Sequence, residues 1–270
     1  MQFSDEFFGS EAQQTVSRNA RDILNLCPDD PRFSYNGRIM TVVGYQGPKT
    51  NEILTSLARL QGSATCHFLP KEKADSIKTE IEADGLATNI WEFCEARETA
   101  YEAAKEILKQ HELPADIVVE RLSVDTDASR VRDFAAMAAD CGVLAMCGRV
   151  MRGLDVPGIT LAGIDQTGAV IASAWGYKCY HPKSEFSDYA FWGGLSCRED
   201  RRGQKIALVL GALTIVQLWK KLQVRGFVTG VTQGNEASFS VCKKLGLLPA
   251  GRIGLGVTNP AMFKGTTLTK

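Results

Sequence analysis

The most hydrophobic stretch of the chain is an uncharged run over residues 206–219, in which Thr214 and Gln217 are the strongly polar residues. At about 1.5 Å of rise per helical residue, the run spans about 21 Å. A membrane core is roughly 30 Å thick, so this run is too short to cross it. Hydrophobic residues on most of its circumference therefore predict a helix buried inside a folded domain.

Residues 1–115 alternate between strand-like and helix-like spacing of their hydrophobic positions. Helical spacing over residues 12–26 predicts a first helix, which the sequence Cys-Pro-Asp-Asp-Pro ends. Short apolar runs then predict strands over residues 38–45, 64–69 and 88–94, and amphipathic segments predict helices over residues 50–60, 71–83 and 98–111. The alternation predicts a small α/β domain of unknown role over residues 1–115.

Residues 116–270 contain a second series of elements and predict a second domain. Strands are predicted over residues 117–122, 159–164, 169–177, 189–197 and 224–232, with a closing strand after Gly251 and a loose tail. Helices are predicted over residues 127–141 and 144–152, from residue 206, and after Asn235. The order is β-α-α-β-β-β-α-β-α, which indicates a sheet flanked by helices.

The formal charge changes sign at the same boundary, near Pro114. Residues 1–115 carry 12 basic and 18 acidic residues, and the remainder carries 19 basic and 13 acidic residues. A moderately basic half suits a small polyanionic ligand, but its charge is too dispersed for nucleic acid. The change of sign supports a two-domain division.

The cysteines and histidines are spaced unlike the ligands of a local metal site. None of the eight cysteines forms a C-x-x-C pair, and the three histidines are far apart in sequence, so no metal is predicted. The first eight residues are acidic and lack the apolar segment of a secretory signal. We therefore expect reduced cysteines and a cytoplasmic protein.

A charged turn precedes the long apolar helix. It places Arg201, Arg202 and Lys205 at the helix N-terminus, where cations oppose the helix dipole. This arrangement is expected where backbone N–H groups hold an anionic ligand.

The same turn resembles the acetyl-CoA signature of the GCN5-related N-acetyltransferases, Q/R-x-x-G-x-G/A after a strand of the form L-x-V. The matching residues are Leu195-x-Cys197, four loop residues, and Arg202-Gly203-Gln204-Lys205-Ile206-Ala207. Lys205 stands where the family has its first motif glycine. A glycine there lets the backbone approach a phosphate, and Gly203 or the lysine ammonium itself is an alternative means to the same contact.

A second segment, which begins at Asn235 and ends in Lys244-Leu245-Gly246-Leu247, is similar to the family's N-x-x-(A/S)-x-x-x-Y-x-K-L-G-F. Asn235 is predicted to cap the helix and Gly246 to end it. The resemblance covers residues 116–260 and implies an α/β fold with a GNAT-like mixed central sheet flanked by helices. The smaller α/β domain that precedes it could be a degenerate copy of part of this fold, an idea that rests on its strand–helix order alone. The implied acetyl-CoA contacts are Leu195, Cys197, Arg202, Gly203, Gln204, Lys205, Ile206, Ala207, Leu208, Asn235 and Ser238.

The resemblance also implies roles in catalysis. A backbone N–H at or near Cys197 would polarise the thioester carbonyl, and the Cys197 thiol itself is expected to be a small buried filler. Cys242 occupies the position of the family's tyrosine acid, but a thiol is a poor acid beside a second thiolate, so water, another residue or a purely structural Cys242 are alternatives.

Candidate bases are Asp188, Glu185 and His181, in the loop before the motif strand. Trp175 and Trp192 could wall an acceptor pocket or belong to the core.

The function implied is an acetyl-CoA-dependent N-acetyltransferase that acts by direct attack of a primary amine from a small or amino-acid-like acceptor. Two alternatives stay open: a non-catalytic acyl-CoA-binding or regulatory module, and transfer of a longer acyl chain. No nucleic-acid or membrane partner is expected, and a homodimer is left open.

Overall fold

A ten-stranded mixed sheet with helices on both faces runs through the computed structural model, which describes residues 6–263 and residue 268. The strands are β1 (Phe33–Tyr35), β2 (Met40–Val43), β3 (Ser63–Pro70), β4 (Ala87–Ala96), β5 (Val118–Arg121), β6 (Gly158–Ile164), β7 (Val170–Tyr177), β8 (Tyr189–Cys197), β9 (Gly226–Thr232) and β10 (Leu248–Thr258). The helices are α1 (Glu11–Leu26), α2 (Lys49–Gln61), α3 (Ala74–Ala83), α4 (Glu98–Gln110), α5 (Ala128–Asp140), α6 (Gly148–Met151), α7 (Ile206–Leu222) and α8 (Glu236–Lys244).

The sheet order is β1-β2-β3-β10-β4-β9-β8-β7-β6-β5. Neighbouring strands are antiparallel except for the parallel pairs β2–β3 and β8–β9. The predicted mixed α/β sheet flanked by helices is confirmed, and β8 has the bounds that its pattern predicts. β1 was missed, because a strand of three residues is too short to show alternation.

Strands from both sides of residue 115 form this one sheet. β10 pairs with β3 on one side and with β4 on the other, and β4 also pairs with β9. The division into units 1–115 and 116–270 stays a prediction. The strand order adds that β3 and β4, from the first unit, supply both partners of β10.

The sheet buries hydrophobic side chains on both faces, as strand alternation along β6 illustrates. Ile159 and Leu161 belong to the cluster that contains the buried residues of α4 and α7, whereas Ala162 and Ile164 belong to the cluster that contains those of α2 and α5. The helix α7 is buried along most of its length, as predicted. Within the described ranges, no helix combines the length and apolar character that a membrane crossing requires.

Candidate functional site

The two parallel strands at the centre of the C-terminal half separate along their length. β8 and β9 pair through Tyr189–Phe191 and Gly226–Val228. Beyond these residues β8 continues to Cys197 and β9 to Thr232 without pairing to each other, so the facing edges of the two strands diverge. A cavity of about 230 Å³ lies at this opening, and Leu195 and Thr232 contribute to its wall.

A bulge in β8 lies beside the cavity, at Gly194 and Leu195, between the residues that pair with Trp175 and Ser173 of β7. Gly194 has a φ of +60°, and a Cβ atom built there would lie 1.7 Å from Nε1 of Trp175. The Ser173 hydroxyl donates a hydrogen bond of 2.7 Å to the Gly194 carbonyl oxygen. Glycine at this position therefore lets the Trp175 ring lie directly against the β8 backbone.

The turn before α7 presents a series of backbone donors. The backbone N–H groups of residues 203–208 have no acceptor among the described residues. The next N–H along the chain, that of Val209, donates to the Lys205 carbonyl oxygen at 3.0 Å. Gly203 and Lys205 both have left-handed φ values, +81° and +60°. Left-handed residues alternating with other conformations turn successive N–H groups toward one side, which suits an anion.

The basic residues of this turn differ in whether an acidic side chain compensates their charge. Arg201 forms an ion pair with Asp116 at 2.8 Å, so its charge is already compensated. Arg202 is exposed, and its Nε donates to the Cys197 carbonyl oxygen at 3.3 Å. Lys205 is also exposed. Arg202 and Lys205 are thus the cations of this turn that stand available beside its free N–H groups.

The cavity at the strand opening has an aromatic wall with a few polar groups. The wall is formed by Trp91, Phe93, Trp175 and Phe191. Its polar side chains include Arg38, His67 and Asn235. Arg38 and His67 come from the first 115 residues, so both halves of the chain contribute to the cavity.

His67 is buried among aromatic rings. Its Nδ1 lies 3.0 Å from the Tyr180 hydroxyl, and its ring centroid lies 4.9 Å from that of Phe191. Burial, followed by the nearby positive charge of Arg38, lowers the pKa of His67 to about 3. His67 is therefore neutral at physiological pH.

Solved structures resemble this fold over most of the chain, and two of them illustrate the similarity. A GCN5-related N-acetyltransferase from Kribbella flavida is 13% identical and superposes with a TM-score of 0.55, covering 91% of this chain and 95% of its own. A Drosophila protein is 11% identical with a TM-score of 0.53, covering 92% and 88%. The chain has the fold of a GCN5-related N-acetyltransferase. No protein-family model matches it, and no curated protein matches it at a significant level.

Within this fold, the residues predicted to contact the cofactor lie in three places: at the cavity wall and α8, at the end of β8, and on the turn that begins α7. Leu195 and Asn235 line the cavity, and Asn235 also caps α8, with its side-chain oxygen accepting the N–H of Ser238 at 3.1 Å. Cys197 lies at the end of β8, where burial raises the pKa of its thiol. The remaining group, on the turn and first residues of α7, is Arg202, Gly203, Gln204, Lys205, Ile206, Ala207 and Leu208.

The three candidate bases lie away from the cavity. Asp188 forms an ion pair of 2.9 Å with Arg97, His181 accepts the N–H of Lys183 at 3.0 Å, and Glu185 is exposed. All three precede β8 at its paired end, whereas the cavity opens toward the other end. Gly193 follows Asp188 by five residues, or about 16 Å of extended chain. Their role as bases stays a prediction that this geometry does not support.

Cys242 is buried in the hydrophobic core and does not line the cavity. Contact with the Cys94 thiol of β4, together with burial, raises the pKa of the Cys242 thiol. Of the two tryptophans, for which a pocket wall and the core were both open, Trp175 lines the cavity. Trp192 does not: it is 1% exposed and donates from Nε1 to the Gly211 carbonyl oxygen at 3.3 Å.

Arg38 and His67 were missed by the sequence analysis. Each lies on or near a strand of the first unit, and β10 and β4 separate these strands from β9 in the sheet order. Contacts between residues distant in sequence, such as those of His67 with Tyr180 and Phe191, bring this part of the chain to the cavity. For Arg38 the sequence pattern predicts solvent exposure and not a cavity wall. A charged residue directly before the apolar run Ile39–Val43 suggests the solvent edge of a strand, yet this one is 8% exposed.

Proposed function

We propose that the protein is an acetyl-CoA-dependent N-acetyltransferase that acts on the primary amine of a small molecule. The proposal rests on two features that occur together. The N–H groups of residues 203–208 are free, and β8 and β9 stop pairing beyond Phe191 and Val228. Free N–H groups begin every helix, and a gap between two strands can be purely structural. Together the two features support an anion site on the turn that follows β8, with a cleft and an aromatic cavity beside the same strand.

In this proposal the pyrophosphate of acetyl-CoA accepts hydrogen bonds from the N–H groups of residues 203–208, with Arg202 and Lys205 adding positive charge. The β9-facing edge of β8, which has no strand partner beyond Phe191, would hold the rest of the cofactor. Gly193–Leu195 of the cavity wall would hold the thioester, and backbone donors of β8 would polarise its carbonyl.

Bound acetyl-CoA would supply a thioester carbonyl carbon that accepts the amine, with the coenzyme thiol as leaving group. The chain contributes position and exclusion of water, because aromatic rings form much of the cavity wall. Neutral His67 is the one imidazole of the described cavity wall, and its low pKa makes it a weak base. We therefore expect the ammonium form of the acceptor to lose its proton to solvent before binding, so that the amine enters the cavity in its neutral form.

Two alternatives share the same cofactor site. A binding module without catalysis is favoured by Cys242, because a buried thiol stands where the family has a tyrosine acid. Transfer of a longer acyl chain is disfavoured by the cavity of about 230 Å³, below the roughly 300–1,000 Å³ of many ligand pockets. All eight cysteines are unpaired, as expected in a reducing compartment such as the cytoplasm.

Calorimetry with acetyl-CoA tests the cofactor site. Gly203→Val should weaken binding at least tenfold, because a branched side chain would crowd the phosphates and disturb the left-handed turn. Gly85→Val is the matched control: Gly85 has the same φ of +81°, and both sites leave open space around an added Cβ. Equal affinities of the two variants would refute the proposed phosphate site.

Release of free thiol with a panel of amines tests the reaction. Turnover with at least one small amine is expected. Tight acetyl-CoA binding without turnover would instead support the binding module.

A further inference from the structure

Arg38 is a buried cation without an anion. Arg38 is 8% exposed, and none of the described acidic side chains forms an ion pair with its guanidinium. The chain's other deeply buried arginine, Arg152, is paired with Glu6 at 3.0 Å. Burying a charge without a partner is unfavourable, so an unpaired buried guanidinium calls for a specific reason.

The hydrogen bonds of Arg38 leave much of its donor capacity unused. One terminal nitrogen, Nη1, donates to the Leu144 carbonyl oxygen at 3.0 Å. Its Nε is buried and has no acceptor in the described structure. Anchoring one carbonyl oxygen does not require a charge, and a neutral side chain would do so at lower desolvation cost.

The position of Arg38 connects it to the reaction site. The guanidinium carbon lies 5.3 Å from the ring centroid of Trp175, and the same ring lies against Gly194 of the β8 bulge. Both Arg38 and Trp175 line the cavity. One aromatic ring therefore separates the guanidinium from the backbone proposed to hold the thioester.

We propose that Arg38 binds the carboxylate of the acceptor, which makes the acceptors small amino acids. This inference rests on the proposed function and specifies its substrate class. A guanidinium matches a carboxylate with two parallel N–H···O bonds, and the bond is strongest where water is excluded. The separation across one ring suits an α-amino acid, whose amine and carboxylate share one carbon atom.

The charge balance in the cavity agrees with this assignment. Burial lowers the pKa of Arg38 to about 10, so the guanidinium keeps its proton at neutral pH. The amine of the acceptor attacks the thioester carbon, a C–N bond forms and the C–S bond breaks. The proton lost by the amine ends on the departing thiolate or in solvent, and the products are an N-acetyl amino acid and free coenzyme A.

Acceptor pairs that differ only in the carboxylate test the inference on the full chain. Initial rates are compared for glycine and alanine against glycinamide and alaninamide, with acetyl-CoA as donor. The wild type should favour the amino acids at least tenfold in kcat/KM, and Arg38→Met should lose that preference while it retains activity with the amides. Arg59→Met, on an exposed part of α2, is the control and should keep the preference.

A second arm places the carboxylate on the donor. If succinyl-CoA were favoured over acetyl-CoA, and Arg38→Met abolished this difference, the carboxylate would belong to the acyl group and the proposal would be overturned. Equal rates for amino acids and amides in the wild type would overturn it as well, while turnover itself would still support the proposed function.

A binding measurement covers the case of no turnover. Calorimetry compares N-acetylglycine with N-acetylglycinamide in the presence of coenzyme A. Tighter binding of the carboxylate by at least tenfold, lost in Arg38→Met, supports the assignment without any catalysis. Thermal unfolding of Arg38→Met, expected at or above the wild-type temperature, separates loss of the ligand from loss of the fold. No difference between the two ligands refutes the inference.

Discussion

Gly194→Ala should destabilise the protein far more than an ordinary glycine substitution. A Cβ at this position would lie 1.7 Å from Nε1 and 2.1 Å from Cε2 of Trp175, well inside contact distance. The left-handed φ of +60° costs a non-glycine residue about 1–2 kcal/mol. Displacing a packed indole adds about 1–3 kcal/mol, as overpacked cores do. The expected loss of unfolding free energy is therefore about 2–5 kcal/mol.

Gly85→Ala separates the two contributions. Gly85 also has a left-handed φ, +81°, but a Cβ there meets nothing within 4 Å. This variant should lose only the backbone part, about 1–2 kcal/mol. Urea denaturation followed by circular dichroism gives both free energies. The chain has four tryptophans, so the fluorescence of each variant is compared with that of the same variant carrying Trp175→Phe to isolate the Trp175 contribution. Equal destabilisation of the two variants would refute the close packing of Trp175 on Gly194.

Three further predictions concern other parts of the molecule. The pKa of His67 lies at about 3 in the fold and about 6.5 in an unfolded chain, so the unfolded state binds more protons and stability should fall as pH drops from about 6.5 to about 3. Denaturation at several pH values should show a steeper fall for the wild type than for His67→Gln, and equal slopes would contradict the lowered pKa. Cys242→Ala should keep turnover within a few-fold, since the thiol is buried; a hundredfold loss in kcat with unchanged coenzyme A affinity would make it catalytic. A fragment of residues 116–270 should fail to unfold cooperatively in denaturant, because β10 loses both its partners; a folded fragment that binds coenzyme A would support independent domains.

The parts of the structure with strong local signals could be predicted from sequence. The helix α7 is apolar around most of its circumference, and β8 is bounded by a polar loop and a charged turn, so both elements have recognisable limits. Asn235 caps α8 because an asparagine at that position satisfies a free N–H locally. These features depend on neighbours in sequence.

The acceptor side of the site depends on contacts between distant residues and could not be predicted in the same way. Trp175 pairs with Gly193 and Trp192 pairs with Gly176, so the two indoles are offset by one residue and lie on opposite faces of the sheet. Sequence alone gives neither this register nor the bulge. Arg38 is held at the cavity by residues more than 100 positions away, through its hydrogen bond to the Leu144 carbonyl oxygen and its contact with the Trp175 ring.

The position of β10 between β3 and β4 has a consequence for folding during synthesis. β3 and β4 are made early, yet the strand that lies between them ends at Thr258. Until that residue has left the ribosome, a nascent chain carries two facing strand edges whose N–H and C=O groups lack their final partner. Unpaired edges of this kind favour pairing with other chains. The interval before β10 is synthesised is therefore when the chain is most exposed to aggregation, and when a chaperone would protect it most.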